Sequence, residues 1–556
     1  ILKEEPPPLA DANPKIPAEL ERVIRHCLEK KPSERFQSAR DLAFDLKSLL
    51  GSGGMAMPAA ARARPRIRPI RIGVAATSLA LVITTLLYLF LWRERAIDSL
   101  AVLPLVNASG DSEMEYLSDG ITESLINSLS QLPALRVMAR STVFSYKGQT
   151  VDPQEVGRKL KVSAVLTGRM TQRGDTLSIV TELVKVADGS QVWGKQYQPK
   201  LSDIITLQAE IAKQISEQLR LTLTGEQQQR LTKHHTENTE AYLLYTRGRY
   251  FSSNFWTADG FKKGIDHLNQ AIALDPAYAL AHAGLAATYY EASSVWLLPN
   301  DAMPKAKAAA LKALELDEHL AEAHTALAQV LSLYEWNWDE AEKHYRRALE
   351  LNPNFAQAHQ YRGICLTHRG QIEAGTEEIK QAQRLDPLTP STSLSLVLNY
   401  YAARRYEEAI AQCRKILDMK SDFYMAHSML GLVYEQQGKW DEAIAEFNEA
   451  RRMDPQQPFT LGYLGHAYSL AGRRDEAQKL LAEMKQIAAK GTYVDPVPVA
   501  FIYTGLGRKD EAFAELEKAY QERDENLVHY KDTPIFDSLR ADPRFTDLMR
   551  RVGLAP

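Results

Sequence analysis

The chain has 556 residues, room for three or more domains, and sets 67 Lys plus Arg against 70 Asp plus Glu for a net charge of -3. That balance excludes a basic nucleic-acid footprint, so no nucleic-acid partner is expected. Cys27, Cys365 and Cys413 are too few for a disulfide framework or a four-cysteine zinc site, and burial as small apolar side chains is the expected fate of the last two.

Residues 1–50 read as two helices. Pro6 to Pro8, Pro14 and Pro17 make an extended entry to the first, over about 18–30. Ser38 caps the second, with Asp41 in the capping-box position, and Ala39, Leu42, Ala43, Leu46, Leu49 and Leu50 keep a helical period. The run IPAELERVIRHCLEKKPSERFQSARDLAFDLKSLL resembles the last two large helices of a bacterial Ser/Thr protein kinase, with Arg35 at that family's structural arginine. The resemblance implies the end of a kinase C-lobe. The sequence contains no Gly-rich loop, strand Lys, catalytic-loop Asp with its Asn, or DFG motif, so no phosphoryl transfer is expected of it. It should need no cofactor, ATP and Mg²⁺ belonging only to a missing kinase part.

Residues 51–71, GSGGMAMPAAARARPRIRPIR, read as a basic flexible linker able to lie against anionic lipid. Ile72 to Trp92 is a run of 21 residues without a charge. At about 1.5 Å per residue it reaches about 30 Å, which predicts one transmembrane helix. Arg62, Arg64, Arg66, Arg68 and Arg71 precede it. By the positive-inside rule the N-terminus is then cytoplasmic and residues after 92 are periplasmic, in a single-pass inner-membrane protein.

Residues 98–200 read as a small α/β domain: a strand LAVLPL (100–105), an amphipathic helix over 115–132, a strand LRVMAR, and a helix near 152–160. Three antiparallel strands follow, with turns at Arg173-Gly174-Asp175 and Asp188-Gly189. Gly157 to Gly168 is no phosphate loop, because no strand-to-helix turn surrounds it and Lys159 lies within a helix. LAVLPL, GRKLKVSAVLTGR and QVWGKQY resemble the TolB-like amino-terminal domain of bacterial membrane regulators, which implies an interaction or sensing module. Residues 201–238 contain a connecting helix, Ile204 to Leu223.

From residue 239 to 526 the sequence repeats. Pro353, Pro387 and Pro455 are spaced by 34 and 68 residues. Gly431, Gly438, Ala443 and Ala450 of one unit match Gly363, Gly370, Gly375 and Ala382 of another. Small residues let two helices approach, Gly accepts the left-handed turn, and Pro stops the second helix. The pattern resembles tetratricopeptide repeats, with about eight units beginning near Tyr245, Ala279, Glu322, Ala356, Pro390, Tyr424, Pro458 and Tyr493. The second unit carries an insertion around Trp296 to Met303, and residues 527–556 should form a C-terminal cap. The fold class is thus mainly α: a tetratricopeptide-repeat α-solenoid preceded by a small α/β domain, one transmembrane helix and a helical kinase-lobe remnant.

His282, His324, His359 and His427 recur at one place in successive units, about 10 Å apart, too far to share a metal, so no metal is expected and packing within each hairpin is the default. The resemblance places the binding groove at first-helix positions 2, 5 and 9, which include Gln357, Gln360, Met425, Ser428, Phe459 and His466. Ala326 and Val330 fall at two positions where some such arrays carry a carboxylate clamp. A protein or peptide partner is implied. The expected function is the protein-recognising sensor region of a membrane-anchored Ser/Thr kinase. The alternatives are a constitutive kinase whose outer part only localises it, and an envelope scaffold with a vestigial kinase remnant.

Overall fold

The computed structural model describes residues 97–556 except 111–113, 256, 294–296, 491–493 and 555–556, together with Val23, Ile24, His26 and Cys27. The chain divides into two units, 1–94 and 95–556, and the second is described below. The kinase-like stretch with Arg35, the linker 51–71 and the expected span 72–92 lie outside the described residues, those four positions apart.

The expectation of a single-pass inner-membrane protein needs correction. No helix among the described residues is long and apolar enough to cross a membrane. The longest, Pro299–Leu316, carries Asp301, Lys305, Lys307, Lys312 and Glu315 along its 18 residues.

The first part is an α/β domain with strands β1 (Ser99–Val102), β2 (Val106–Asn107), β3 (Arg136–Val137), β4 (Ala164–Arg173), β5 (Thr176–Lys185) and β6 (Gln191–Tyr197). Their order is β3-β1-β4-β5-β6, with β2 also on β4. β1 runs parallel to β3 and β4, Leu100 facing Val137 and Ala164, whereas β4, β5 and β6 form an antiparallel meander. The stretch LAVLPL is one strand by pattern, but in the structure β1 ends at Val102 and pairing resumes only beyond it in β2, because Pro104 has no N–H to donate to a ladder. Helix α1 (Glu115–Ser130) satisfies the break: Leu105 N donates to Thr122 Oγ1 at 3.0 Å, and Ser118 Oγ donates to Leu105 O at 3.0 Å. Only Arg136 and Val137 of LRVMAR pair as strand; the chain then turns into α2 (Arg140–Phe144). Helix α3 (Pro153–Leu160) precedes β4. A Cβ at Gly168 would lie 2.6 Å from Val180 O, so close strand packing accounts for that glycine.

Helix α4 (Ile204–Gln218) does more than connect. Its Leu207, Ile211 and Ile215 join Ile121, Leu125 and Leu129 of α1 in one buried core. A short α5 (Gly225–Leu231), held by a Thr224–Gln227 capping box, leads to the repeats.

The repeats form eight hairpins among the described residues. They are α6 (Thr239–Asn254) with α7 (Ala258–Leu274), α8 (Ala279–Ser293) with α9 (Pro299–Leu316), α10 (Ala321–Leu333) with α11 (Trp338–Leu351) and α12 (Ala356–His368) with α13 (Ile372–Leu385). Then come α14 (Pro390–Ala402) with α15 (Tyr406–Met419), α16 (Tyr424–Gln436) with α17 (Trp440–Met453), α18 (Pro458–Leu470) with α19 (Arg474–Ala489), and α20 (Pro496–Gly505) with α21 (Lys509–Gln521). The small residues act as the pattern requires: a Cβ on Gly363 would stand 2.8 Å from Gly375 O across its hairpin. Six hairpin turns contain one left-handed residue each: Trp336, Gly370, Arg404, Gly438, Gly472 and Gly507.

The last segment, ending in α22 (Pro543–Arg551), does cover the final hairpin, through Arg551 on Glu517 and Arg544 on Asp510. It also returns across the array. Trp338 Nε1 donates to Val552 O at 2.9 Å, Arg523 lies 4.3 Å over the Trp336 ring, His529 meets His368 at 3.0 Å, and Arg404 pairs with Asp537 at 2.8 Å. Phe536 packs on Phe501 at 5.3 Å.

Candidate functional site

Positions 2, 5 and 9 of the first helices face inward along the array. In α8 these are Leu280, Ala283 and Ala287; in α10, Glu322, Thr325 and Gln329; in α12, Gln357 and Gln360 occupy the first two. All border one cavity of about 330 Å³. Its other wall is the α/β domain, through Glu123, Asn127 and Ser130 of α1 and residues 137–141.

Long-range polar contacts hold that wall in place. Asn354 Nδ2 donates to Ser130 O and Leu135 O, both at 2.8 Å, and Asn352 Nδ2 to Ser130 Oγ at 2.8 Å. Ala139 N reaches Leu385 O at 2.9 Å. Asp386 accepts from Ser141 Oγ and Thr142 Oγ1 at 2.6 Å each, and from Thr389 and Thr392 at the start of α14.

Charge inside the cavity is unevenly matched. Glu123 lies between Arg249 at 3.2 Å and Arg140 at 3.0 Å. Burial pushes its carboxyl up, but the two guanidinium groups outweigh burial and hold it below the ordinary range. Arg249 is held above its ordinary value, the Glu123 charge overcoming burial. Burial raises the carboxyls of Glu291 and Glu322, with only partial relief from Arg249. Gln329 is 1% exposed, and its Nε2 has no hydrogen-bond partner.

The six groove residues expected from sequence separate. Gln357 and Gln360 line the cavity, Gln360 also donating to Ser395 Oγ at 2.8 Å. Met425 is exposed at 36%. Ser428, Phe459 and His466 serve packing between hairpins: Ser428 Oγ meets Thr460 Oγ1 at 3.2 Å, Phe459 abuts Tyr463 and Phe501, and buried His466 Nδ1 contacts Glu435 at 3.0 Å. Glu322 and Gln329 were missed through a register slip. The turn Tyr334–Asn337 is one residue longer than Arg369–Gln371, so counting back from α11 starts the unit at Glu322 rather than Ala321. The clamp positions consequently hold Thr325 and Gln329, not Ala326 and Val330.

Three of the four repeated histidines tie their hairpin together. His282, His324 and His359 each place Nε2 at 3.0 to 3.2 Å from the carbonyl six residues earlier. Nδ1 of His324, His359 and His427 reaches His344, Glu378 and Glu446 on the second helix of the same hairpin. No group of three or more His, Cys, Asp or Glu gathers as a cation site among the described residues. Cys365 and Cys413 are buried free thiols, and burial pushes each up to about 12.

Three tetratricopeptide-repeat family profiles match, over residues 344–376, 394–458 and 435–495. The chain carries tetratricopeptide repeats. A fourth profile, the second domain of HilA/YgeH-like transcriptional regulators, matches residues 96–214. That match takes in α4 and replaces the expected TolB-like likeness; neither a kinase nor a TolB-like domain is indicated. Among curated proteins, the chain is 34% identical over 249 residues to "Putative adenylate cyclase 3" of Rhizobium meliloti, covering 44% of this chain and 42% of that protein. It is 25% identical to the transcriptional regulator HilA of Salmonella typhimurium, over 29% of each. The chain therefore spans less than half of either relative. A solved structure, Pseudomonas aeruginosa pilF, is similar at 22% identity over 38% of this chain and 92% of that one, with a TM-score of 0.31.

Proposed function

We propose that residues 97–554 form a non-catalytic input module, in which the α/β domain and the repeats together recognise a protein or peptide and report to a separate output. The observation that carries this is the joint packing of the two parts, Asn354 and Asp386 binding the α/β domain to the inner face of the repeats. Support comes also from the names of its relatives, one for a cyclase and one for a transcriptional regulator: a module found beside different outputs is suited to input. Leu398 at position 9 of α14 and Met425 at position 2 of α16 are 37% and 36% exposed, an apolar stretch of the inner face open to a partner side chain. Peptides selected from a display library on the whole chain should lose binding to a Leu398→Glu/Met425→Glu variant of unchanged thermal midpoint. Equal binding to the variant would remove the groove from the reading.

For the output, the kinase likeness of residues 1–50 supports protein phosphorylation by a catalytic part that this sequence lacks, where ATP and Mg²⁺ would bind. An ATP-dependent phosphorylation assay on the gene product extended upstream tests this. Incorporation by the extended form alone supports it, and incorporation by neither leaves an interaction scaffold.

A further inference from the structure

The cavity between the α/β domain and the repeats is built, polar and incompletely satisfied. Glu291 projects from the end of α8 and Glu322 from the start of α10, and both line it. Neither carboxylate is in an ion pair among the described residues, because the guanidinium groups nearest them, Arg249 and Arg140, are bonded to Glu123. The same cavity holds Gln329, whose buried Nε2 donates to nothing. Two half-buried carboxylates without counter-ions ask for positive charge, and an unused amide N–H asks for an acceptor. The floor leaves space: Ala283, Gly284, Ala287 and Ala326 line it with side chains of one carbon or none.

We propose that this cavity binds a small organic cation that also bears a hydrogen-bond acceptor, the chemistry of a free basic amino acid. Glu291 and Glu322 take its cationic groups, and Gln329 Nε2 takes its carboxylate. The size fits: about 330 Å³ lies at the low end of small-molecule sites, of the order of 300–1,000 Å³. An extended peptide is a poorer occupant, since the contacts from Asn352, Asn354 and Asp386 to the α/β domain close the groove over the positions its backbone would follow. The site lies between two parts of the molecule, so occupancy would add contacts to both walls.

Titration calorimetry and thermal melts of the whole 556-residue chain test this with four probes at matched ionic strength: L-lysine, L-arginine, putrescine and sodium glutamate. Lysine or arginine should bind saturably and raise the midpoint, putrescine should bind more weakly for want of an acceptor, and glutamate should do neither. The isosteric Glu291→Gln/Glu322→Gln variant should weaken the amino acid about tenfold or more. It should melt no lower than the parent, because two half-buried charges without counter-ions are gone. If that pair of changes prevents folding, Glu291→Gln alone gives the same reading. Gln329→Met should weaken lysine and leave putrescine unchanged. No saturable binding of lysine or arginine, or unchanged affinity in the glutamine variants, overturns the proposal. Equal loss of putrescine and lysine in Gln329→Met overturns the acceptor's part in it.

Discussion

The repeat array is covered twice, and the two covers differ in chemistry. Over the first four hairpins it meets the α/β domain through amides, hydroxyls and carboxylates, and among the described residues leaves Glu291 and Glu322 without an ion pair and Gln329 Nε2 without an acceptor. At the turn of the third hairpin and on α20 it meets the chain's own C-terminal segment through rings and buried hydrocarbon: Trp336 under Arg523, Trp338 against Val552, Phe501 on Phe536. Apolar packing fills space and holds a segment shut, whereas an unsatisfied polar interface costs stability unless something completes it. The contrast teaches that the second cover is a structural closure and the first a site.

The largest effect should come from opening the closure. Trp338 is 5% exposed and packs where Gly553 comes close, so Trp338→Ala should cost about 3–5 kcal/mol of unfolding free energy. Denaturant titration reads the loss. Limited proteolysis should then cut first within residues 523–554, and unchanged cleavage there would mean that Trp338 does not hold the segment.

Breaking the polar cover should cost less. Asp386 is 5% exposed and accepts four hydroxyl hydrogen bonds, two of them from Ser141 and Thr142. Asp386→Ala should destabilise by about 2–3 kcal/mol, and hydrogen exchange should accelerate over residues 137–145 before it does so near Val552. Simultaneous acceleration in both places would mean that the two covers open as one.

How much of this was legible in the sequence follows from range. The hairpins were legible because each needs the same local answers, a small residue at Gly363 or Gly431 and a stop at Pro353 or Pro387, and a 34-residue period repeats them. The α/β region was legible through strand alternation, although its first strand stops at Val102, short of Pro104. The covers were not. Asn354 and Ser130 are 224 residues apart, Trp338 and Val552 are 214 apart, and no local pattern marks either meeting. Of the groove residues, Gln357 and Gln360 were found by counting, while Glu322 and Gln329 were lost to a single extra turn residue. Glu123 and Arg140 come from the other domain, so counting within the repeats could never have reached them.

Acid should separate the covers in opposite directions. His368 and His529 meet in the closure, and burial lowers both rings, His529 to about 4, with Asp524 opposing and Lys531 adding to the effect at His368. A histidine whose folded value lies below the unfolded 6.5 contributes stability that is complete above 6.5 and is lost as pH falls toward 4. Each ring can contribute at most about 1.4 kcal/mol per pH unit. Glu291 and Glu322 shift upward, so their neutral forms suit the fold, and their penalty fades as pH drops toward 4.5. Between pH 7 and 5, hydrogen exchange corrected for its intrinsic rate should quicken around 525–531 and not around the cavity walls. A His368→Gln/His529→Gln variant should lose the first change, and its persistence would assign the acid response elsewhere.

The smallest expected effect tests why the closure reaches the turns it does. Of the six left-handed turn residues, four are glycine, while Trp336 and Arg404 adopt the same conformation against its steric cost. Those two are the ones whose side chains grip the C-terminal segment, through Arg523 and Asp537. Arg404 and Asp537 are both nearly half exposed, at 46% and 44%, so their ion pair is worth about 1 kcal/mol or less. Arg404→Gly exchanges that pair for relief of about 1 kcal/mol of backbone strain, and the unfolding midpoint should barely move. Gly438→Ala, at a turn with no such contact to lose, meets the strain alone and should cost about 1 kcal/mol. A clear loss in Arg404→Gly would show that the grip on Asp537 outweighs the strain, making that turn as much a part of the closure as Trp338.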